Sequence, residues 1–159
     1  MQVSALQVRY ILLFLFASGR SLYGEFDLFK ERNQGESEGD YLARLTKSLE
    51  ELIEKEGAET IAAMIAEPLM GAGGVILPPE GYFPAIQAIL NKYDIPLIAD
   101  EVITGFGRTG TAVGSETYDI KPTSMTLAKA LSSGYIPISA VIVNDDLFEP
   151  IKEASGDIG

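Results

Sequence analysis

The sequence predicts an α/β fold, in which helices are layered on a sheet. Two observations carry this prediction: short apolar runs typical of buried strands recur along the chain, and apolar side chains at helical spacing lie between them. The predicted strands cover residues 61–66, 95–102, 124–129 and 138–143. In sheets of this class ligands bind at the carboxyl ends of the strands, so functional residues are expected there.

Three segments of the chain are predicted to be helical. Apolar residues at helical spacing indicate an amphipathic helix over residues 41–56, which Gly57 would end. A second helix begins near Tyr82, with Pro84 tolerated in its first turn, and a third follows the turn or cap at residues 144–146. Strands and helices therefore alternate over most of the chain.

The composition excludes several classes of function. The formal net charge is −11 at pH 7, which disfavours nucleic acid and anionic membranes as partners because both would repel the chain. There is no cysteine and no histidine, so disulfides, zinc sites and histidine-dependent nucleophilic catalysis are excluded within this sequence. With 47% hydrophobic and 22% charged residues, the composition is typical of a folded globular domain.

An apolar run lies near the amino terminus, from Tyr10 to Ala17. These eight residues are too few to cross a bilayer as a helix, which takes about 20. The run would suit the apolar part of a signal peptide within residues 1–19, yet a single arginine precedes it. A buried segment or a misassigned start of the reading frame is the preferred interpretation, and we expect a cytoplasmic protein.

Ionisable residues end three of the predicted strands. Glu67, Asp100 and Lys129 each follow or close an apolar run. Taken one at a time, each carboxylate would be interpreted as a cap for neighbouring backbone groups and the lysine as an exposed surface residue. Three charges at neighbouring strand ends instead favour a shared ligand or an ion-pair network. An amine beside a carboxylate suits pyridoxal phosphate: Lys129 would form an imine with the cofactor aldehyde, and Asp100 would keep the pyridine nitrogen protonated.

A glycine motif follows the strand that contains Asp100. Residues 105–110 match the dinucleotide-binding pattern G-x-G-x-x-G. That motif should open an apolar helix, whereas residues 111–115 contain a further glycine and have little helix propensity. The glycines are therefore interpreted as a tight loop beside the site.

Four linked stretches resemble the class III, or omega, pyridoxal phosphate-dependent aminotransferases. The resemblance runs from about Asp27 to the carboxyl terminus, and the order and spacing of the stretches agree with the family. The stretches are residues 66–68 with 71–75, residues 78–82, residues 98–110, and residues 126–131 leading to 134–135. The resemblance implies a part of the three-layer large domain of fold-type I pyridoxal phosphate-dependent transferases.

The same resemblance implies an activity and roles for five residues. Lys129 would hold the cofactor covalently and move a proton between substrate and cofactor carbons, and Asp100 would pair with the pyridinium. Val102 would pack under the ring, Ile103 would lie beside it, and Glu67 would line the pocket. The implied reaction transfers an amino group from an amine or omega-amino acid to a 2-oxo acid such as pyruvate, in a homodimer.

The sequence also departs from the family pattern. Thr123 and Val113 stand where the family usually has an aspartate and an aromatic residue. The phosphate-gripping Gly-Ser segment, the aromatic residue that stacks on the ring and the small domain are not recognised, so we expect a central fragment with residues 25–159 as a partial large domain. Residues 1–24 match nothing in the family. The alternatives are an aminomutase or racemase of the same fold, and a non-catalytic remnant that binds no cofactor alone.

Overall fold

The computed structural model describes residues 14–17, 20–22 and 32–155, and its centre is a mixed sheet. The strands are β1 (Phe14–Ala17), β2 (Arg20–Leu22), β3 (Ile61–Ala66), β4 (Leu97–Asp100), β5 (Ser124–Leu127) and β6 (Ala140–Val143). The helices are α1 (Glu38–Glu56), α2 (Tyr82–Lys92), α3 (Gly114–Thr117) and α4 (Asp145–Ser155), with short 3-10 helices at Ala58–Thr60 and Lys129–Ser132. The predicted α/β class is confirmed.

The strands lie in the order β2-β1-β3-β4-β5-β6. The three central strands β3, β4 and β5 are parallel, while β1 pairs antiparallel with β3 and β6 pairs antiparallel with β5. Ala66 is level with Ala99, and Asp100 is level with Thr126. Because the central strands are parallel and in this register, their carboxyl ends meet at one edge of the sheet.

Helix α1 begins three residues before the predicted start at Tyr41. The reason is its cap: the Ser37 side chain accepts a hydrogen bond from the Asp40 backbone N–H at 3.1 Å. Glu38 and Asp40 also place negative charge in the first turn, where it stabilises the helix dipole. Gly57 ends α1 with a positive φ of 85°, as the sequence predicts.

The hydrophobic core lies between the sheet and helices α1 and α2. Its large members include Ile53 from α1, Phe83 and Ile86 from α2, and Met64 and Leu97 from the sheet. Along β4 buried and half-buried residues alternate, so Leu97 and Ala99 face this core while Asp100 faces away. The core thus supports the strand whose last residue is Asp100.

Within the described residues, no helix combines the length and apolar character needed to cross a membrane. The apolar run at residues 10–17 lies partly outside the described residues, and its last four residues form β1. The segment therefore contributes backbone hydrogen bonds to the sheet through its pairing with β3.

Candidate active site

The ends of three parallel strands bring Glu67, Asp100 and Lys129 together. Glu67 follows β3 directly, Asp100 is the last residue of β4, and Lys129 lies two residues beyond the end of β5. Neighbouring strands lie about 4.8 Å apart, so the ends of β3, β4 and β5 form one short row. The charges of Asp100 and Lys129 both act on the Glu67 carboxyl, which places the three groups in one electrostatic cluster.

Asp100 is half-buried and held in a defined orientation by one of its oxygens. Its Oδ1 accepts hydrogen bonds from the Val102 backbone N–H at 3.1 Å and from the Thr126 hydroxyl at 3.0 Å. Its Oδ2 accepts none from the described part of the chain. A carboxylate fixed through one oxygen with the other available suits a protonated ring nitrogen.

Thr126 was not predicted as a site residue. It lies directly opposite Asp100 on β5, and its hydroxyl reaches across the strand pair. Only the register of β4 against β5 places it there. The sequence offered one usable signal: Thr126 lies near the end of the apolar run that precedes Lys129, and the ends of neighbouring parallel strands share one edge of the sheet.

Glu67 is a buried carboxyl with an unusual pKa. It is 5% exposed, and its Oε2 accepts a hydrogen bond from the Gly71 backbone N–H at 2.8 Å. The pKa of Glu67 is raised to about 7: burial raises it most and the negative charge of Asp100 adds to the rise, while the Gly71 N–H and the Lys129 ammonium partly oppose it. Glu67 therefore changes its charge near neutral pH.

The two neighbouring charges predict how the pKa of Glu67 responds to substitution. Asp100→Asn removes a repelling charge and should lower the pKa from about 7, whereas Lys129→Ala removes an attracting charge and should raise it. Because the pKa lies above the ordinary value of 4.5, Glu67 contributes stability that is present at low pH and is lost as the pH rises through about 7.

Carbon-13 NMR titration of labelled glutamate carboxyls measures this pKa, with Glu67→Gln identifying the resonance. Glu80→Gln is the control, because Glu80 is exposed. If the Glu67 midpoint stays the same in both Asp100→Asn and Lys129→Ala, the three groups do not form one cluster.

Lys129 lies beyond the strand that it was predicted to close. Strand β5 ends at Leu127, and Lys129 opens a 3-10 helix with a left-handed φ of 47°. Its side chain is exposed. Lys129 lies outside β5 because the chain leaves the sheet at Ala128 and turns into the 3-10 helix. Lys129 forms no ion pair among the described residues, which leaves its amine available to a ligand.

The left-handed backbone at Lys129 predicts a stability difference between two variants. Lys129→Gly should be more stable than Lys129→Ala by about 1 kcal/mol, because glycine adopts a positive φ without the steric cost that alanine retains. Thermal unfolding followed by circular dichroism measures the difference. Ala128→Gly is the control: φ there is −159°, so glycine should destabilise. A Lys129→Gly variant no more stable than Lys129→Ala would show that the backbone at this position is unstrained.

Val102 and Ile103 lie on the loop that follows β4, and both are half-buried. The Val102 N–H helps to orient Asp100, as described above. Ile103 packs on the loop that follows β3: a Cβ added at Gly71 would lie 2.7 Å from Ile103 Cδ1. The roles predicted for both residues beside a cofactor ring are compatible with this position and stay predictions.

The glycine motif forms a tight loop, as predicted. The Phe106 N–H donates to the Ala112 carbonyl at 2.8 Å, and the Gly110 N–H donates to the Gly107 carbonyl at 3.1 Å. The helix that follows is α3, which has only four residues. The context required for dinucleotide binding is therefore missing from this part of the described structure.

Glu101 is a second buried carboxylate that the sequence did not single out. It is fully buried, and its donors are the Thr104 hydroxyl, the Gly114 N–H, the Ser115 N–H and the Ser115 hydroxyl. The available signal was alternation: the residue after Asp100 must face the core side of the sheet, where a charge needs several donors.

Comparisons with known proteins identify the family to which the chain belongs. The family model for class-III aminotransferases matches residues 20–157. Gamma-aminobutyrate transaminase 1, mitochondrial, of Oryza sativa subsp. indica is 58% identical over 125 residues, which cover 79% of this chain and 24% of that protein. The mitochondrial gamma aminobutyrate transaminase 1 of Solanum lycopersicum is 59% identical over 125 residues, with the same coverage of 79% and 24%. This chain thus spans about a quarter of the length of these curated relatives.

Solved structures agree as well. A transaminase with L-ala has a TM-score of 0.80 and 53% identity, covering 81% of this chain and 30% of that one. The omega transaminase from Pseudomonas jessenii in complex with PMP also has a TM-score of 0.80 and 53% identity, covering 81% of this chain and 28% of the other. The resemblance seen in the sequence is confirmed, and the chain belongs to the class-III aminotransferase family, whose members depend on pyridoxal phosphate.

Proposed function

We propose that this chain binds pyridoxal phosphate at the ends of β3, β4 and β5 and contributes to transamination. The observation that carries the proposal is the convergence of Glu67, Asp100 and Lys129 at those strand ends. When bound, the cofactor supplies an electron sink for the negative charge that develops on the substrate carbon. The reaction is the transfer of an amino group from an amine or omega-amino acid to a 2-oxo acid such as pyruvate.

Lys129 supplies the nucleophile in this proposal. Its exposed amine would hold the cofactor and would take and return the proton at the substrate carbon. The turn that begins at Lys129 directs the chain away from the sheet, so the amine is presented at the edge rather than within the core.

Asp100 would hold the proton on the ring nitrogen, with the Val102 N–H and the Thr126 hydroxyl keeping its Oδ1 in place. Val102 and Ile103 would offer apolar contact to the ring and would exclude water from it. Glu67, with a pKa raised to about 7 mainly by burial, would lie beside the cofactor at the same strand ends and changes its charge near neutral pH.

The amino donor is proposed to be an omega-amino acid. The support comes from relatives that are named gamma-aminobutyrate transaminases, so gamma-aminobutyrate is the donor to test first. Pyruvate is the proposed acceptor. The relatives from rice and tomato are named mitochondrial, and a further tomato relative is named chloroplastic. The cytoplasmic location of this chain stays a prediction that fluorescent fusion proteins would test.

Borohydride reduction tests the proposed cofactor site. The purified chain is incubated with pyridoxal phosphate, reduced, digested and mapped by mass spectrometry, while circular dichroism verifies folding. Selective labelling of Lys129 is the expected result. Labelling spread evenly over exposed lysines such as Lys47 and Lys121 would overturn the proposal and favour a remnant that does not bind the cofactor alone. Formation of pyridoxamine phosphate on addition of gamma-aminobutyrate then tests the activity.

The chain is also proposed to associate with a second copy of itself. The support is strand β6, which ends the described sheet and leaves Val141 66% exposed and Ile142 52% exposed. An apolar edge strand offers unpaired backbone groups to another chain.

Val141→Lys is therefore expected to shift the chain towards the monomer, because a charge on the edge strand opposes pairing. Sedimentation velocity over a range of concentrations measures the shift. Ala88→Lys adds the same charge at an exposed position of α2 and serves as the control. Equal association of the two variants would exclude β6 as the contact surface.

A further inference from the structure

The sheet directs the adjacent residues Asp100 and Glu101 to opposite sides. The Asp100 side chain is half-buried and accepts a hydrogen bond from the Thr126 hydroxyl, whereas Glu101 on the other side is 0% exposed. A buried carboxylate is costly unless its charge is compensated. Here no lysine or arginine among the described residues pairs with Glu101, and its hydrogen-bond donors compensate it instead.

The donors to Glu101 come from both ends of one loop. Oε2 accepts from the Thr104 hydroxyl and from the Gly114 N–H at 2.8 Å. Oε1 accepts from the Ser115 N–H and hydroxyl, each at 2.6 Å. Hydrogen bonds to a charged acceptor are about twice as strong as neutral ones. The carboxylate therefore closes the loop of residues 102–113 by binding residues at its start and just after its end.

The backbone of Glu101 joins the same loop to the sheet. Its N–H donates to the Thr126 carbonyl at 3.0 Å, and its carbonyl accepts from the Gly105 N–H at 2.9 Å. The start of α3 is packed tightly against this arrangement: a Cβ added at Gly114 would lie 2.8 Å from Thr104 Cβ and 2.9 Å from Pro68 Cβ. The loops after β3 and β4 are thus held together around one buried carboxylate.

We propose that Glu101 is a positioning residue for the cofactor site. By closing the loop, it fixes the backbone of Val102, whose N–H is one of two donors to Asp100 Oδ1. The orientation of Asp100 and the position of Val102 beside the ring both depend on this closure. The inference rests on the proposed cofactor function, since Asp100 and Val102 are assigned to the cofactor there.

Ser115→Ala tests the proposal with a small structural change. It removes one of the hydroxyl donors to Glu101 but leaves the Ser115 N–H in place. Ser124→Ala is the matched control: it also removes a hydroxyl from a buried serine, whose Oγ donates to the Ile142 carbonyl at 2.9 Å on the β6 side. Both variants lose one buried hydrogen bond, and because the bond lost in Ser115→Ala has a charged acceptor, the effects of each variant are compared with its measured loss of unfolding free energy.

Hydrogen exchange of the Val102 amide and the dissociation constant for pyridoxal phosphate are the two readouts. In Ser115→Ala the Val102 amide should exchange about tenfold faster and the cofactor should bind about tenfold more weakly, whereas Ser124→Ala should change neither. Glu101→Gln places amide hydrogens against N–H donors. Its effects on Val102 amide exchange and on cofactor affinity should therefore both be larger than those of Ser115→Ala. Equal effects of Ser115→Ala and Ser124→Ala on both readouts would overturn the proposal.

The two readouts also separate this inference from the proposed function. Val102 exchange is measured without cofactor, so it tests closure of the loop even if the unsubstituted chain fails to label at Lys129. Faster Val102 exchange with unchanged cofactor affinity in Ser115→Ala would show that Glu101 closes the loop without positioning the site, and would also overturn the proposal.

Discussion

Replacing Lys129 with alanine is expected to abolish covalent attachment of pyridoxal phosphate to this chain. The amine of Lys129 is exposed and unpaired among the described residues, and it is the ionisable group of this cluster that can act as a nucleophile. Reduction with borohydride followed by intact-mass measurement should show the addition of one cofactor to the unsubstituted chain. The same treatment of Lys129→Ala should give labelling no greater than background.

Lys121→Ala is the matched control for this experiment. Lys121 is also exposed, lies 3.8 Å from Asp119, and precedes β5 at the opposite end of the strand from Lys129. Its removal should leave labelling unchanged. If Lys129→Ala and Lys121→Ala reduce labelling equally, attachment occurs by general lysine reactivity and Lys129 has no special role.

Replacing Asp100 with asparagine is expected to preserve attachment and to slow the removal of the substrate proton. The amide has nearly the same shape, and its oxygen can still accept from the Val102 N–H and the Thr126 hydroxyl. Its NH₂ group, however, cannot stabilise a protonated ring nitrogen as a carboxylate does. Loss of such a charge interaction typically costs about 100-fold or more in rate. Single-turnover formation of pyridoxamine phosphate from gamma-aminobutyrate measures it.

Two controls define the role of Asp100 further. Asp119→Asn removes a negative charge from an exposed position and should leave the rate unchanged. Thr126→Val removes one donor to Asp100 while keeping the carboxylate, so its effect should lie between those of Asp119→Asn and Asp100→Asn. An Asp100→Asn variant that reacts as fast as the unsubstituted chain would exclude proton retention on the ring nitrogen as its function.

The fold was predictable where local sequence determines structure. Strand β3 was predicted with the observed bounds, Ile61–Ala66, because a short apolar run ends before Glu67-Pro68. The predicted start of α1 was late because Ser37, which caps the helix through the Asp40 N–H, lies outside the apolar periodicity. Strand β6 begins at Ala140 rather than Ile138, since only residues 140–143 pair with β5.

Three residues of the candidate site were identified from the sequence, but its geometry and two further residues were not. Glu67, Asp100 and Lys129 were recognised because charged residues at the ends of apolar strands are uncommon without a partner. Thr126 and Glu101 were not, because their partners are distant in sequence: Thr126 binds Asp100 across a strand pair, and Glu101 binds Ser115 after a loop. Such contacts depend on register and on loop closure, which apolar periodicity does not report.

The pairing of β1 with β3 matters for anyone who chooses expression boundaries. The match to the family begins at residue 20, whereas β1 covers Phe14–Ala17 and lies between β2 and β3 in the sheet. A truncated version that starts at residue 20 would leave one edge of β3 without its neighbour, although Glu67 directly follows that strand. Unpaired edges recruit other chains. Truncation at the family boundary would therefore favour insoluble material, whereas a version that keeps β1 would keep that edge of β3 paired.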